Sequence, residues 1–120
     1  MYITENDKVA IRKIIEKQIE AFQRDDAVEA FAIASKAIQE QFGTPDKFIT
    51  MVKESYPAVY RPRSIIFRGF TTIDYYPAQI VILMDEKREL VQAVYIMQQQ
   101  QDHSWRIHGC FLVSIDKQII

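Results

Sequence analysis

Cysteine is nearly absent: Cys110 is the only one in 120 residues. A lone cysteine cannot close an intramolecular disulfide or supply a cysteine-rich zinc site. It fits a reducing compartment. A basic excess is missing too, with 15 Lys and Arg against 16 Asp and Glu and a formal net charge of −1. That balance argues against a general nucleic-acid binder, which carries a basic face. No apolar stretch approaches the length of a membrane span. The opening Met1-Tyr-Ile-Thr-Glu-Asn-Asp-Lys8 has no basic region leading into an apolar run, so no signal peptide is visible. The expectation is a cytoplasmic protein that meets neither nucleic acid nor membrane. Glycine is scarce, three residues in all, and three of the four prolines fall between Gln41 and Arg63. That stretch is where the chain changes from helical to strand-like pattern.

What is present is an ordinary globular balance, 48% apolar and 26% charged. A chain of this length is expected to form one domain, residues 1–120, with its own core. Thr4 can cap a first helix, with Asp7 near the positive end of its dipole. Helical spacing then puts Ile11, Ile14, Ile15, Ile19 and Phe22 on one face. Gln18 falls in the same arc, and an amide on an apolar stripe needs a backbone, water or ligand partner. Asp26, with Glu29 three residues on, predicts the start of a second helix running to about Ala37. Asp25 and Asp26 are adjacent and do not face each other on a helix, so capping is favoured over a metal or catalytic pair.

Gly43 followed by Thr44-Pro45 predicts the end of that helical region and the start of a third helix. Pro57 should end the third helix, and Ala58 to Pro62 should be extended. From about Arg63 the pattern has period two. Strands are predicted over 63–73, 78–84, 89–99 and 104–115, joined by short turns. Helices first and strands afterwards indicate an α+β fold, with the helices on one face of an antiparallel meander. The second strand, Ile80-Val-Ile-Leu-Met84, is apolar on both faces. Its outer face needs cover, and a second subunit is the expected cover, giving a homodimer through the exposed sheet face.

Several runs together resemble a family of small bacterial proteins catalogued as a domain of unknown function. They are Gln18-Ile-Glu-Ala-Phe-Gln-Arg-Asp-Asp26, Ala30-Phe-Ala-Ile-Ala34, Gln41-Phe-Gly43, Tyr56-Pro57, Val59-Tyr-Arg-Pro-Arg63 and Trp105-Arg-Ile107 with Gly109-Cys110. More remotely, the order of helices then curved sheet is similar to the cystatin-like roll of the nuclear-transport-factor-2-like superfamily. The resemblance implies three N-terminal helices packed on a curved four-stranded antiparallel sheet, closing over a conical cavity. Members of that superfamily are dimers, ligand carriers, protein-binding modules or small-molecule enzymes.

Candidates for chemistry are few. Asp74 stands in a turn beside Tyr75 and Tyr76, where turn formation accounts for it. His108 and Cys110 share a strand face, but residues two apart on a strand are about 7 Å apart, too far for thiol activation. His103 falls at a turn. No catalytic or metal set emerges, and no cofactor is implied. The residues left over are Tyr56, Tyr60, Arg61, Arg63 and Arg68, since arginine forks beside tyrosines suit a carboxylate, a phosphate or an acidic partner. The alternative is that the arginines pair with helix carboxylates such as Glu54. The reading is a non-enzymatic, dimeric binding module for a small ligand or peptide, contacted by Gln18, Phe22, Tyr56, Tyr60, Arg61 and Arg63. An assembly protein using the sheet face, or an isomerase, dehydratase or hydrolase of the roll type, are the alternatives. The last requires His108 or Asp74 in the cavity.

Overall fold

Thr4 and Asp7 start the chain's longest helix by a reciprocal cap. The Asp7 amide donates to the Thr4 hydroxyl at 3.0 Å, and the Thr4 amide donates to the Asp7 carboxylate at 2.9 Å. That backbone bond from Thr4 is the main cause holding the Asp7 carboxyl below its ordinary pKa. The helix, α1, runs Glu5–Gln23 and buries Ile11, Ile15, Gln18, Ile19 and Phe22. The computed structural model describes residues 2–115; Met1 and 116–120, the ends of the expected domain span, lie outside the described residues.

After α1, Asp25 adopts φ 55°, a conformation Asp tolerates. Asp26 then caps α2, Ala27–Ala32, by accepting from the Glu29 amide. Here the predicted single helix to Ala37 is corrected. It breaks at Ile33–Ser35, and a separate helix α3 covers Lys36–Phe42. The cause lies far along the chain. The amide of Ser35 donates to the Ile107 carbonyl at 2.8 Å, and that of Ile107 donates to the Ile33 carbonyl at 3.0 Å. The segment therefore satisfies the edge of the last strand instead of continuing a helix, and Ser35 caps α3 through its hydroxyl.

Gly43, at φ 81°, terminates α3. Thr44 and Pro45 open α4, Pro45–Ser55, as the sequence predicts. A second correction follows: Pro57–Tyr60 is a helical turn, α5, and not extended. Pro57 ends one helix and also occupies the first position of the next, where its fixed φ and missing amide hydrogen cost nothing.

The strands are β1 Ser64–Ile73, β2 Tyr76–Met84, β3 Leu90–Gln99 and β4 Trp105–Ser114, in an antiparallel sheet ordered β1-β2-β3-β4. The fold is α+β, helices followed by an open sheet, and is consistent with a cystatin-like roll. Asp74 and Tyr75, both at positive φ, make the two-residue turn between β1 and β2. Register slips by one residue at Phe67/Phe70 and at Ile96/Met97, and such bulges bend and twist a sheet. Gln79, buried in β2, donates to the Arg68 and Gly69 carbonyls at 2.8 and 3.1 Å, which satisfies the first bulge.

The core lies between α1 and the inner sheet face. Ile11, Ile15 and Phe22 pack with Val81, Leu83, Ala93, Tyr95 and Met97, each side chain contributing about 1.5–3 kcal/mol on burial. Arg12 lies 4.5 Å over the Phe67 ring and anchors α1 on β1. The outer face carries two cross-strand rows. One is Ile66–Ile82–Gln92–Val113, the other Ile80–Val94–Phe111, and Ile66, Val113 and Phe111 are 52%, 42% and 38% exposed.

Candidate functional site

The break in α2 leaves carbonyls that no helix amide reaches. Gln18 answers one of them: its Nε2 donates to the Ala30 carbonyl at 3.1 Å. Gln39 donates to the Ala34 carbonyl and adds a second donor to that of Phe31, which also accepts from the Ala34 amide. Gln18 thus has a structural partner, and its 3% exposure is explained. It also borders the main cavity of the described residues.

That cavity has a volume of about 480 Å³. It lies where α1, α3 and α4 meet β4, beside the bridge that Ala34 makes to Ile107 at the strand edge. Its walls are Gln18 and Phe22 of α1, Ile38, Gln41 and Phe42 of α3, and Phe48, Met51, Val52 and Ser55 of α4. Tyr56 and Val59 close one side, and Ile107, Gly109 and Cys110 of β4 form the floor. Phe48 organises the aromatic wall, with its ring centroid 6.1, 5.5 and 5.6 Å from those of Phe22, Phe31 and Phe42. No lining residue carries a charge.

The polar groups sort by depth. Gln41 and Ser55 are exposed and Tyr56 is half-buried, and none of the three side chains has a hydrogen-bond partner among the described residues. They mark the mouth. Cys110 belongs to the floor, where burial pushes its thiol up to about 12, so it is a neutral thiol at physiological pH. Behind it, paired in strand register with Cys110, stands Tyr95. Its hydroxyl is fully buried without a partner among the described residues, and burial raises its pKa well above the ordinary value.

The six residues singled out from sequence divide evenly. Gln18, Phe22 and Tyr56 line the cavity. Tyr60, Arg61 and Arg63 are not in its lining. Arg61 donates to the Gln23 carbonyl at 3.3 Å, which serves the end of α1, and to Asp25 at 3.1 Å. The sequence pointed to Glu54 as a carboxylate partner for the arginines; Arg61 takes Asp25 instead. Lys53 joins the same carboxylate at 3.4 Å. Both cations lie over the Tyr60 ring, at 5.0 and 5.3 Å from its centroid, and Tyr60 packs on Phe22. This cluster pins α5 to the α1–α2 corner. Arg63 is exposed, and its side chain has no partner among the described residues, while its amide extends the sheet to the Met84 carbonyl.

His108 is the extra residue of the β4 bulge. Its Nδ1 lies 2.8 Å from the Ser35 hydroxyl, and its ring is 4.8 Å from that of Tyr76. It pairs with neither Cys110 nor the cavity, and Asp74 sits in its turn, so neither lines the cavity. Among the described residues, no three His, Cys, Asp or Glu cluster so as to hold a metal ion, and no helix is long and apolar enough to cross a membrane. Sequence reasoning missed Ser35, Gln41 and Tyr95, and it put Ser55 on the inner side of the third helix without naming it a site residue. Ser35 carried an N-cap signal inside an Ala-rich run; the others became significant only once the chain was folded.

Fold and site together define an α+β module with one uncharged cavity between its helices and the end strand of its sheet. The chain belongs to the family described as domain of unknown function (DUF4864), whose model matches residues 4–120. No curated protein and no solved structure matches it.

Proposed function

We propose that this chain is a non-enzymatic binding module that holds a small molecule between its helices and β4, and that it works as a homodimer. The observation that carries the reading is the cavity itself: about 480 Å³, mostly aromatic and aliphatic inside, with its polar groups at the mouth, at the floor and at Gln18 of the wall. Ligand pockets are of this size and construction. Gln18, Phe22 and Tyr56 are the contacts retained from the six candidates, and Tyr60 and Arg61 act by fixing the wall that carries Tyr56. The catalytic alternative needs a titratable base in the cavity, and His108 and Asp74, its two candidates, both stand outside the lining. A remote relationship to the nuclear-transport-factor-2-like superfamily is supported by the helices-then-sheet order and by the place of the cavity. A bacterial, cytoplasmic setting rests on the resemblance and on the lone cysteine.

The dimer reading rests on the outer sheet face. Four strands about 4.8 Å apart and nine or ten residues long present a plan area on the order of 600 Å². Two such faces bury at most roughly 1,200 Å², in the range of the ~1,000 Å² that a specific interface requires. The two cross-strand rows contain no charge to repel a copy of themselves. A second copy is therefore the occupant this face fits, packed sheet on sheet.

A fluorescence thermal-shift screen of small apolar compounds against the chain and a plugged variant, Met51→Trp, tests the binding reading. Compounds that raise the melting temperature of the parent but not of the plugged protein support it. A screen in which no compound stabilises the parent would remove the reading.

A further inference from the structure

Resting on the reading of the cavity as a binding site, we propose that it selects uncharged amphiphiles: molecules with an aromatic or aliphatic body and one hydrogen-bonding head that remains neutral at physiological pH. The body would lie against Phe22, Phe48 and Ile107, and the head would meet Gln41, Ser55 and the Tyr56 hydroxyl at the mouth.

The selection follows from what surrounds the space. No lining residue is ionised, so a carboxylate or ammonium would enter without a counter-charge. The Arg61–Lys53 cluster does not supply one, because both cations share Asp25 and lie over Tyr60 outside the lining. The floor thiol is held protonated by burial, so it adds no negative charge that would attract a cation. Hydrogen-bonding capacity is nevertheless present. Gln41, Ser55 and Tyr56 have donors and acceptors without protein partners among the described residues, and they sit where the cavity meets solvent. A purely apolar ligand would leave them to water; a neutral head would use them. At roughly 30 Å³ per water-sized group, a volume of about 480 Å³ holds on the order of 15 non-hydrogen atoms. That is the size of a two-ring aromatic or a medium-chain alcohol.

The test is a calorimetric titration at pH 7 with matched probes on one scaffold: 4-phenylphenol, 4-phenylbenzoate and 4-phenylbenzylammonium. Decan-1-ol is compared with decanoate in the same way. The expected result is that each neutral probe binds at least tenfold more tightly than its ionised partners. Binding of the neutral probes should be lost in Met51→Trp and in Ser55→Trp, the latter at an exposed position that leaves the core untouched. Equal or tighter binding of the ionised probes, still abolished by the plugs, overturns the selection and leaves the cavity reading intact. Binding of the neutral probes that persists in a folded plugged variant puts them elsewhere and overturns this inference. If no probe, neutral or charged, binds at millimolar concentration, the selection and the reading of the cavity fall together.

Discussion

The two faces of the sheet carry the same kind of residue and meet different fates. On the inner face Val81, Leu83, Ala93 and Tyr95 are sealed under α1, while on the outer face Ile66, Ile80, Ile82 and Phe111 alternate with them and have no helix above. Period-two alternation says which residues share a face, but not what covers that face. Cover is also incomplete inside. Along the buried stripe of α1 the packing is closed, and between α3, α4 and the Ile107–Cys110 part of β4 it leaves a cavity. The inner face therefore supplies both the stability and the cavity, and association is what we propose for the outer face.

The largest expected effect sharpens this division. Leu83→Ala, on the sealed face, should lower unfolding free energy by about 3 kcal/mol in chemical denaturation. The neighbouring Ile82→Lys, on the outer face, should cost less than about 1 kcal/mol in the monomer while abolishing dimers in sedimentation at micromolar concentration. A parent that is already monomeric at that concentration would break the account of the outer face.

Of similar size at the alkaline end is the response to pH. The Cys110 thiol stays protonated to about 12 in the fold, while an unfolded thiol ionises near 8.5. Above that lower value the unfolded state binds fewer protons than the folded one, so stability falls as pH rises. The slope should approach about 1.4 kcal/mol per pH unit between roughly pH 9 and 12, and Cys110→Ala should remove that contribution. Denaturation midpoints measured from pH 8 to 11 check it.

Smaller again is the effect at Tyr95. Its buried, unpartnered hydroxyl predicts that Tyr95→Phe stabilises the protein by about 1 kcal/mol, against the usual direction of core substitutions. A loss of stability would mean that the hydroxyl has a partner. The smallest effect concerns the half-exposed cluster at Asp25. Arg61→Ala should cost on the order of 0.5 kcal/mol and leave cavity ligand affinity unchanged, and a tenfold loss of affinity would return Arg61 to the site.

These differences follow how much of the molecule was legible in the sequence. The start and buried stripe of α1, the Gly43 and Thr44-Pro45 punctuation, and all four strands to within about two residues depend on neighbours in the chain. They could be read. The interruption at Ile33–Ser35 could not, because it is made by hydrogen bonds to Ile107, more than seventy positions away. The same holds for the contact between His108 and Ser35. Pro57 was read only as a stop because the sequence does not say whether a proline that ends one helix also begins the next. In the site, Gln18 and Phe22 were visible as an amide and an aromatic ring on one helical face. Ser55 was visible only as part of the inner side of its helix and Gln41 not at all, since each becomes part of a cavity mouth only when α3, α4 and β4 come together. The stretch Gln41–Arg63 is accordingly split: Gln41 to Val59 build the cavity wall, and Tyr60 to Arg63 tie that wall to the rest of the fold.

The most direct test of the central claim, that the uncharged cavity is the binding site, is an amide chemical-shift map of the isotopically labelled protein titrated with 4-phenylphenol. The account predicts saturable shifts concentrated at Gln18, Met51, Tyr56, Gly109 and Cys110, with Arg61 and Arg63 unmoved. Shifts centred on Arg61 and Arg63, or on Ile66 and Phe111 of the outer face, would contradict it.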